Sequence, residues 1–329
     1  MQQKLIACGV GEAVEDVSLN VNMTNLRNLN LSLDDSVYLD KERKKLLDEF
    51  LSDKNPKITA GGSVSNTVSV LSSLYGDTAF IGNIGKDELG QIFFNDLRSN
   101  NILVSSNIFN DNVETSVCYV FVTPDAERIF AVFKDNSSHI KLDETNKDYI
   151  RSSNYLILEM YMAREVDDCL QMEEAIKIAK KCNTKVVVSL SNQRIVKEYK
   201  KQVHNFVASA DIVFANLYEA QALSNTSQVH LMIDHFLSLN DDKEYLITLG
   251  RRGAIYFKNG KAFYQPSFKV EPVDTTGAGD MFTASYLYGI SAGLSIQESL
   301  KKACYMSSKV ICQQGARYLG DIKSAFNEI

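Results

Sequence analysis

Short runs of apolar residues alternate along the chain with segments whose apolar residues are spaced as on one face of a helix. The first run, residues 5–10, is continuous, as expected for a strand buried on both faces of a sheet. Later runs of the same kind predict strands at 78–81, 155–158, 185–190, 211–215 and 244–248. The clearest helical spacings lie at 64–75, 89–97 and 281–290. This alternation predicts an α/β protein in which a mainly parallel sheet carries helices on both faces.

Two regions interrupt the alternation. Residues 17–39 contain strand-like stretches without a clear crossover helix, and residues 115–134 have the pattern of a hairpin with a turn at Pro124. Both regions lie outside the strand–helix rhythm. We therefore predict that insertions at about 12–45 and 112–136 form a small β-sheet lid.

The remaining turn signals favour one compact unit. Asn259 and Gly260 supply the positive φ angles of a tight turn, which predicts another hairpin around residues 258–261. The four prolines and 17 glycines are scattered, and the chain has no repeat or low-complexity linker. We predict a single domain over residues 1–329.

The composition narrows the classes of partner. A net charge of −6 argues against nucleic acid or an anionic membrane as the main partner. The apolar run at 5–10 is too short for a signal-peptide core, and no stretch approaches the ~20 apolar residues of a membrane span. The six cysteines form no CxxC pair, so we expect reduced core thiols in a cytoplasmic protein.

The segment 273–280 is the strongest candidate for chemistry. Gly277, Ala278 and Gly279 precede an apolar helical stretch and let the backbone approach a ligand closely. A helix that begins here directs unpaired N–H groups and its positive dipole end at that ligand, which suits a phosphoryl group in transfer. Asp280, beside this site, can accept the proton of an attacking hydroxyl. Taken alone, Asp280 would be interpreted as a helix N-cap.

A second glycine pair opens an earlier predicted helix. Gly61 and Gly62 precede Ser63, and Asn66 projects its amide from the first turns of that helix. An amide at this place suits the binding of vicinal hydroxyls. Without other context, Ser63 would be interpreted as the cap of an ordinary helix start.

Together the two segments resemble the signatures of the ribokinase (PfkB) family of carbohydrate and nucleoside kinases. Residues 273–280 are similar to the second signature, DTxGAGD, and residues 60–66 to the first, a Gly-Gly pair with Asn four residues later. Residues 80–90 also fit the family's G-x-x-G-x-D-x-x-G run. The resemblance continues in the family's order from Gly9 to about Arg317. It implies a three-layer αβα sandwich with a β lid, and an ATP-dependent phosphotransferase with an alcohol group as acceptor.

The resemblance also implies roles for individual residues. The catalytic base falls on Asp280, and the anion hole on Gly277, Ala278 and Gly279. The substrate site falls on Asp16, Gly61, Gly62, Ser63 and Asn66. Taken alone, Asp16 would be interpreted as an exposed residue entering a lid strand.

On the nucleotide side, Asn216 and Glu219 match the family's N-x-x-E motif, which steers Mg²⁺ largely through water. By itself this motif is common at helix starts. Thr248, Gly250 and Gly253 match the nucleotide-binding turn. Gly315 begins a C-terminal segment that, in many members, lies near the adenine and a potassium ion.

The acceptor is the least determined feature. Ser63 after the glycine pair, and the lid strand containing Arg128, look like adenosine kinases, and Arg128 matches a lid arginine that approaches the transferred phosphate. Taken alone, Arg128 would be an ordinary solvated residue of a hairpin. Glu12 departs from that subgroup, which usually carries Asn there, because a carboxylate accepts hydrogen bonds from hydroxyls but donates none. We expect a purine nucleoside, adenosine, to be converted to AMP, with a sugar such as fructose or ribose as the alternative.

Other classes of protein fit less well. A dinucleotide-binding dehydrogenase needs a third glycine where Val14 stands, and the chain has no GxxxxGK[ST] run of a P-loop NTPase. A non-catalytic nucleotide-binding regulatory protein on the same scaffold is the alternative from another class. The oligomeric state, monomer or homodimer, stays open.

Overall fold

A computed structural model describes residues 4–22, 25–26, 29, 31, 37–123, 128–135 and 138–329. In these ranges the chain forms a large sheet, a smaller sheet and helices that pack around both. The strands, in chain order, are β1 Leu5–Val10, β2 Val14–Asn20, β3 Val37–Leu39, β4 Lys57–Ala60, β5 Thr78–Ile81, β6 Ile84–Gly85, β7 Ile102–Val104, β8 Phe109–Asn110, β9 Ser116–Val122, β10 Arg128–Phe133, β11 Ser153–Glu159, β12 Lys185–Ser189, β13 Ile212–Asn216, β14 Glu244–Thr248, β15 Ala254–Lys258 and β16 Lys261–Gln265.

The helices follow the strands in the alternation that the sequence predicts. Their bounds are α1 Lys41–Leu51, α2 Ser63–Leu74, α3 Glu88–Ser99, α4 Glu144–Arg151, α5 Val166–Lys181, α6 Gln193–Glu198, α7 Lys200–Ser209, α8 Leu217–Leu223, α9 Val229–Ser238, α10 Ala278–Ser291, α11 Ile296–Val310 and α12 Ile322–Phe326. No helix among these described segments is long and apolar enough to span a bilayer.

The large sheet is parallel over most of its width. Its strand order is β16-β15-β14-β13-β12-β11-β1-β5-β7, and only β15 and β16 run antiparallel to their neighbours. All six strands predicted from apolar runs lie in this sheet, and the fold class is confirmed. The hairpin predicted at Asn259 and Gly260 is also confirmed, because both residues have positive φ and join β15 to β16.

The apolar strands are buried because helices cover both faces of the sheet. In β12, Val186 and Val188 pack in the core on one face and Val187 in the core on the other, all without solvent exposure. A strand with two buried faces has no polar alternation, which explains the continuous apolar runs in the sequence. The cysteines follow this pattern only in part. Cys8 and Cys304 are buried, but Cys312 is exposed, so the expectation of six core thiols is wrong.

The smaller sheet lies outside this layered core. Its order is β3-β10-β9-β2-β4, with β9 and β10 antiparallel as the hairpin pattern predicts. The predicted turn at Pro124 and Asp125 lies outside the described residues. Buried side chains of this sheet, including Tyr119 and Phe121, pack with Leu47 and Leu51 of α1 in a third apolar core. We call this unit the lid; its proposed boundaries in the sequence stay a prediction.

Candidate active site

A cleft of about 680 Å³ opens between the lid and the carboxyl ends of the parallel strands. In a doubly wound sheet this edge is the usual place for a ligand, because the loops that follow the strands converge there. The cleft is lined from the sheet side by Glu159, Ser189, Asn216 and Thr248 at the ends of β11 to β14. The lid contributes Val14, Asp16, Tyr38, Cys118, Phe130 and Val132.

Asp280 lies in the first turn of α10 and faces α2 across the cleft. Its Oδ1 accepts a hydrogen bond from Ser63 Oγ at 2.6 Å, and its Oδ2 accepts one from Asn66 Nδ2 at 3.1 Å. Burial raises the pKa of Asp280 to about 6, although both hydrogen bonds and the charge of Arg317 oppose the shift. A carboxylate with this pKa is ionised at neutral pH and is more basic than an exposed aspartate.

The interpretation of Asp280 as a helix cap is wrong. The N-cap of α10 is Gly277, which has a left-handed φ of 76° and no side chain to cap the helix. A Cβ at Gly277 would overlap the backbone carbonyl of Ala316, so only glycine fits this turn. Gly277, Ala278 and Gly279 all line the cleft, which places the N–H groups of the first turn beside the Asp280 carboxylate. The Ala278 N–H also donates to the Thr275 carbonyl at 3.3 Å.

The earlier glycine pair allows close packing where α2 begins, beside the cleft. A Cβ at Gly61 would lie 2.6 Å from the Asp16 carboxylate, and a Cβ at Gly62, which has a φ of 81°, would lie 2.6 Å from the Glu12 carbonyl oxygen. Gly62 is the N-cap of α2 and Ser63 does not cap it, so the interpretation of Ser63 as a cap is wrong. Gly62, Ser63, Asn66 and Asp16 line the cleft, whereas Gly61 lies behind it.

Asp16 is partly buried within the lid strand β2. Burial raises its pKa to about 7, the Arg317 charge lowers it, and the charges of Asp280 and Asp274 raise it further. The fold therefore brings four residues predicted from the sequence together around the cleft: Asp16, Ser63, Asn66 and Asp280.

Glu12 is held by two cations that the sequence analysis did not identify. Arg164 Nη2 donates to Glu12 Oε1 at 2.7 Å, and Lys134 Nζ lies 3.0 Å from the same oxygen. Burial favours a raised pKa, but the charges of Lys134 and Arg164 outweigh it and hold the pKa of Glu12 at about 2. Lys134 also pairs with Asp168 at 3.1 Å. Glu12 is therefore ionised at every physiological pH.

Glu159 is a further site residue that the sequence analysis missed. It ends β11, is buried, and accepts hydrogen bonds from the backbone N–H of Glu12 at 2.7 Å and of Val64 at 3.0 Å. Burial raises its pKa to about 8, and the charge of Glu12 adds to this effect. Its sequence signal was a carboxylate at the end of an otherwise apolar strand, at the sheet edge where ligands bind.

Asn216 and Glu219 begin α8 as a reciprocal capping box. Glu219 Oε2 accepts from the Asn216 N–H at 2.8 Å and its Oε1 from Asn216 Nδ2 at 2.6 Å, while Asn216 Oδ1 accepts from the Glu219 N–H at 3.0 Å. Burial raises the pKa of Glu219 to about 7. Both residues also line the cleft, so the helix-start role and a ligand-facing position coexist. A carboxylate and an amide facing the cleft fit a magnesium ion that keeps most of its water ligands.

Of the other residues predicted to bind the nucleotide, only Thr248 is among the described residues that line the cleft. Thr248 lines the cleft at the end of β14. Gly250 and Gly253 form the turn that follows, where the Leu249 N–H donates to the Gly253 carbonyl at 2.7 Å, and neither lines the cleft. The Gly315 N–H donates to Asp274 Oδ2 at 2.9 Å and so fixes the C-terminal segment against the loop before α10.

Arg128 begins the lid strand β10, but its side chain lies outside the described part of the structure. Its predicted contact with the transferred phosphate therefore stays a prediction. Phe130 and Val132, two and four residues further along the same strand, do line the cleft.

The arrangement defines a class of protein. A half-buried carboxylate beside the N–H groups of a helix start, on a doubly wound sheet with a lid, is the arrangement expected of a phosphotransferase that activates a hydroxyl. The family model "pfkB family carbohydrate kinase" matches residues 28–322. The chain belongs to this family, whose members use ATP and phosphorylate an alcohol group.

Similar proteins agree with this assignment. Adenosine kinase from Sinorhizobium meliloti has a structure similar to this chain, with a TM-score of 0.86 and 26% identity over 98% of each chain. Adenosine kinase 2 of Arabidopsis thaliana is 24% identical and covers 95% of both chains. Fructokinase-1 of Zea mays is 28% identical over 74% of this chain and 77% of its own. The ribokinase-like fold is thereby confirmed.

Proposed function

We propose that the protein is an adenosine kinase, which transfers the γ-phosphate of ATP to the 5′-hydroxyl of the nucleoside and forms AMP. The observation that carries this proposal is the aromatic lining of the cleft. Tyr38 and Phe130 of the lid, and Tyr161 after β11, line the same cleft as the polar groups around Asp280. The Arg164 guanidinium lies over the Tyr38 ring, 4.8 Å from its centroid. A purine base stacks on aromatic rings, whereas a free monosaccharide needs mainly hydrogen-bonding groups.

The relatives include kinases for both acceptors. The adenosine kinase of Arabidopsis thaliana covers 95% of both chains, while the fructokinase of Zea mays covers 74% of this one. A probable sugar kinase from Rhizobium etli also covers 98% of both chains, so coverage by itself does not separate the two acceptors.

The reaction follows from the placement of charge. Asp280 orients the acceptor hydroxyl and takes its proton, while the N–H groups of Gly277, Ala278 and Gly279 stabilise the charge of the phosphoryl group. Asp16 and Asn66 hold the vicinal hydroxyls of the substrate. Closure of the lid excludes water and limits hydrolysis of ATP.

The nucleotide side completes this scheme. Asn216 and Glu219 would hold magnesium bound with ATP, which would neutralise charge on the phosphates. Thr248 lies beside the nucleotide, and Arg128 approaches the phosphate on lid closure. The proposal includes potassium dependence, and this expectation comes only from the segment that begins at Gly315.

A sugar kinase is the second candidate, and Glu12 favours it. Both Lys134 and Arg164 contact Glu12 Oε1, which leaves Oε2 as an acceptor for a substrate hydroxyl. An ionised carboxylate that cannot donate is well suited to a polyol and does not recognise an acceptor nitrogen of a purine.

The test is ADP release with ATP, Mg²⁺ and either adenosine or a panel of fructose, ribose and related sugars. Turnover with adenosine alone supports the proposal. Turnover with a sugar alone contradicts it: the aromatic side chains then do not bind a purine, and Glu12 correctly indicates a sugar kinase. ATP binding without turnover on any acceptor would favour a non-catalytic nucleotide-binding protein. The assay is repeated with Na⁺ in place of K⁺ to test the potassium expectation.

We further propose a cytoplasmic location and a monomer or homodimer. The six cysteines are free thiols, which supports a reducing compartment. The net charge of −6 supports small-molecule partners over nucleic acid or an anionic membrane. Sedimentation of the purified chain measures the oligomeric state.

A further inference from the structure

Arg317 forms a cluster of contacts behind the cleft that no step of the proposed reaction uses. Its Nε donates to Asn66 Oδ1 at 3.0 Å, and its Nη2 lies 3.3 Å from Ser65 Oγ. Its Nη1 pairs with Asp96 of α3. The guanidinium therefore bridges α2, α3 and the C-terminal segment, and it is not among the residues that line the cleft.

The contact with Asn66 decides how that amide is oriented. A guanidinium only donates hydrogen bonds and an ionised carboxylate only accepts them. With Arg317 on one side and Asp280 on the other, the Asn66 oxygen must face Arg317 and its NH₂ group must face Asp280. Reversal of the amide would place two donors together and two acceptors together, and each misplaced group costs a hydrogen bond.

The orientation of Asn66 in turn fixes the Asp280 carboxylate. Asn66 Nδ2 holds Oδ2 of Asp280, and Ser63 Oγ holds Oδ1, so the plane of the carboxylate is defined by two donors one helical turn apart on α2. We propose that Arg317 is a positioning residue for phosphoryl transfer: it fixes the Asn66 amide and, through it, the orientation of the Asp280 carboxylate. This proposal rests on Asp280 being the general base.

The surroundings of Arg317 are rich in carboxylates, which gives its charge a second effect. The Arg317 charge lowers the pKa of Asp280, of Asp16 and of Glu15, so its removal raises all three. The charged groups that face this region from the lid strand β2, from α3 and its N-cap, from the end of β11 and from the loop and first turn of α10 are Glu15, Asp16, Asp87, Asp96, Glu159, Asp274 and Asp280.

The experiment is a double-mutant cycle of Arg317→Met and Asn66→Leu, measured on the acceptor that is active in the substrate panel. Arg317→Met is expected to lower kcat by about 10- to 100-fold with KM for ATP unchanged, because a misplaced base reacts poorly. The acidic limb of kcat against pH moves to higher pH. In the Asn66→Leu background, Arg317→Met costs little more, since the two residues act as one unit. Unchanged kcat in Arg317→Met, or losses that multiply in the double variant, would overturn the proposal.

A second variant covers the case in which Arg317→Met does not fold. Arg317→Lys keeps the charge but cannot bridge Asn66, Ser65 and Asp96 at once. It is expected to lower kcat without moving the acidic limb, and wild-type kcat in this variant would overturn the proposal. Asp280→Asn, measured in parallel, distinguishes failure of the general-base role of Asp280 from failure of the positioning role of Arg317. If it retains full turnover, the general base and this proposal both fall, whereas an inactive Asp280→Asn beside an unaffected Arg317→Met overturns this proposal alone.

Discussion

At the scale of single residues, burial and hydrogen bonding shift the pKa of Asp280 in opposite directions. Burial raises its pKa to about 6, while Ser63 and Asn66 stabilise the charged form. The carboxylate must be ionised to take a proton, so kcat is expected to fall as the pH drops through about 6. Ser63→Ala removes a hydrogen bond that lowers the pKa, so this acidic limb moves to higher pH. The measurement is kcat against pH for the wild type and Ser63→Ala.

Asp280→Asn, measured in the same experiment, removes the charge of the carboxylate and keeps the shape of the side chain. It is expected to lower kcat by about 10²–10⁴-fold because the general base is lost, while ATP still binds. Turnover close to wild type, or a limb that Ser63→Ala does not move, contradicts the role of Asp280.

Glu12 illustrates what sequence alone cannot give at this scale. The carboxylate and its departure from the adenosine kinase pattern were visible in the sequence. Its partner Lys134 directly follows β10, and its partner Arg164 follows β11. Both are far from Glu12 in the sequence, so only the fold brings them to Oε1. Glu159 and Arg317 went unrecognised in their site roles for the same reason, because each acts on elements distant in sequence.

At the scale of elements, the start of α10 depends on one backbone conformation. Gly277 has a φ of 76°, and a Cβ there would overlap Ala316. Gly277→Ala is expected to cost about 1–2 kcal/mol of stability from the left-handed φ alone, with more from the clash. Since the displaced turn carries the N–H groups that we propose bind the phosphoryl group, kcat is expected to fall as well.

Gly293, just beyond the other end of α10, provides the control. It has a φ of 83° and nothing within 4 Å of a Cβ placed there. Gly293→Ala is expected to lose stability from φ alone and to keep its kcat. Melting temperature and kcat are measured for both variants, and equal effects on kcat contradict a local role for Gly277.

The elements themselves were largely predictable. Strands β1, β5 and β14 begin and end where the apolar runs do, because each is buried and has no polar alternation. The 273–280 segment was recognisable because a glycine-rich helix start is a local pattern. In contrast, β4 joins the lid next to β2 through pairing with a distant segment, and its exposed, short sequence carried no signal.

At the scale of the whole molecule, the lid has a hydrophobic core separate from those of the large sheet. Phe121 belongs to the lid core and Phe257 to a core of the sheet, and both are fully buried. Deletion of a buried phenylalanine side chain costs about 3–5 kcal/mol. Phe257→Ala is therefore expected to lower the melting temperature and to leave acceptor KM unchanged in the folded fraction.

Phe121→Ala is expected to act mainly on the lid. On the proposed closure of the cleft by the lid, the variant should raise KM for the acceptor and increase hydrolysis of ATP in the absence of acceptor. Both quantities are measured at a temperature where each variant is folded. Identical changes in KM and ATP hydrolysis for the two variants contradict a separate role for the lid.

The sequence by itself determined the features that depend on neighbouring residues: the buried strands, the helix starts at Gly62 and Gly277, and the family signatures around Asn66 and Asp280. The tertiary structure alone decided which charges meet. The pairing of Glu12 with Lys134 and Arg164, and the chain from Asp96 through Arg317 and Asn66 to Asp280, join segments remote in sequence. Periodicity and turn chemistry act over a few residues, whereas the environment of a buried charge is set by whichever elements the fold packs against it.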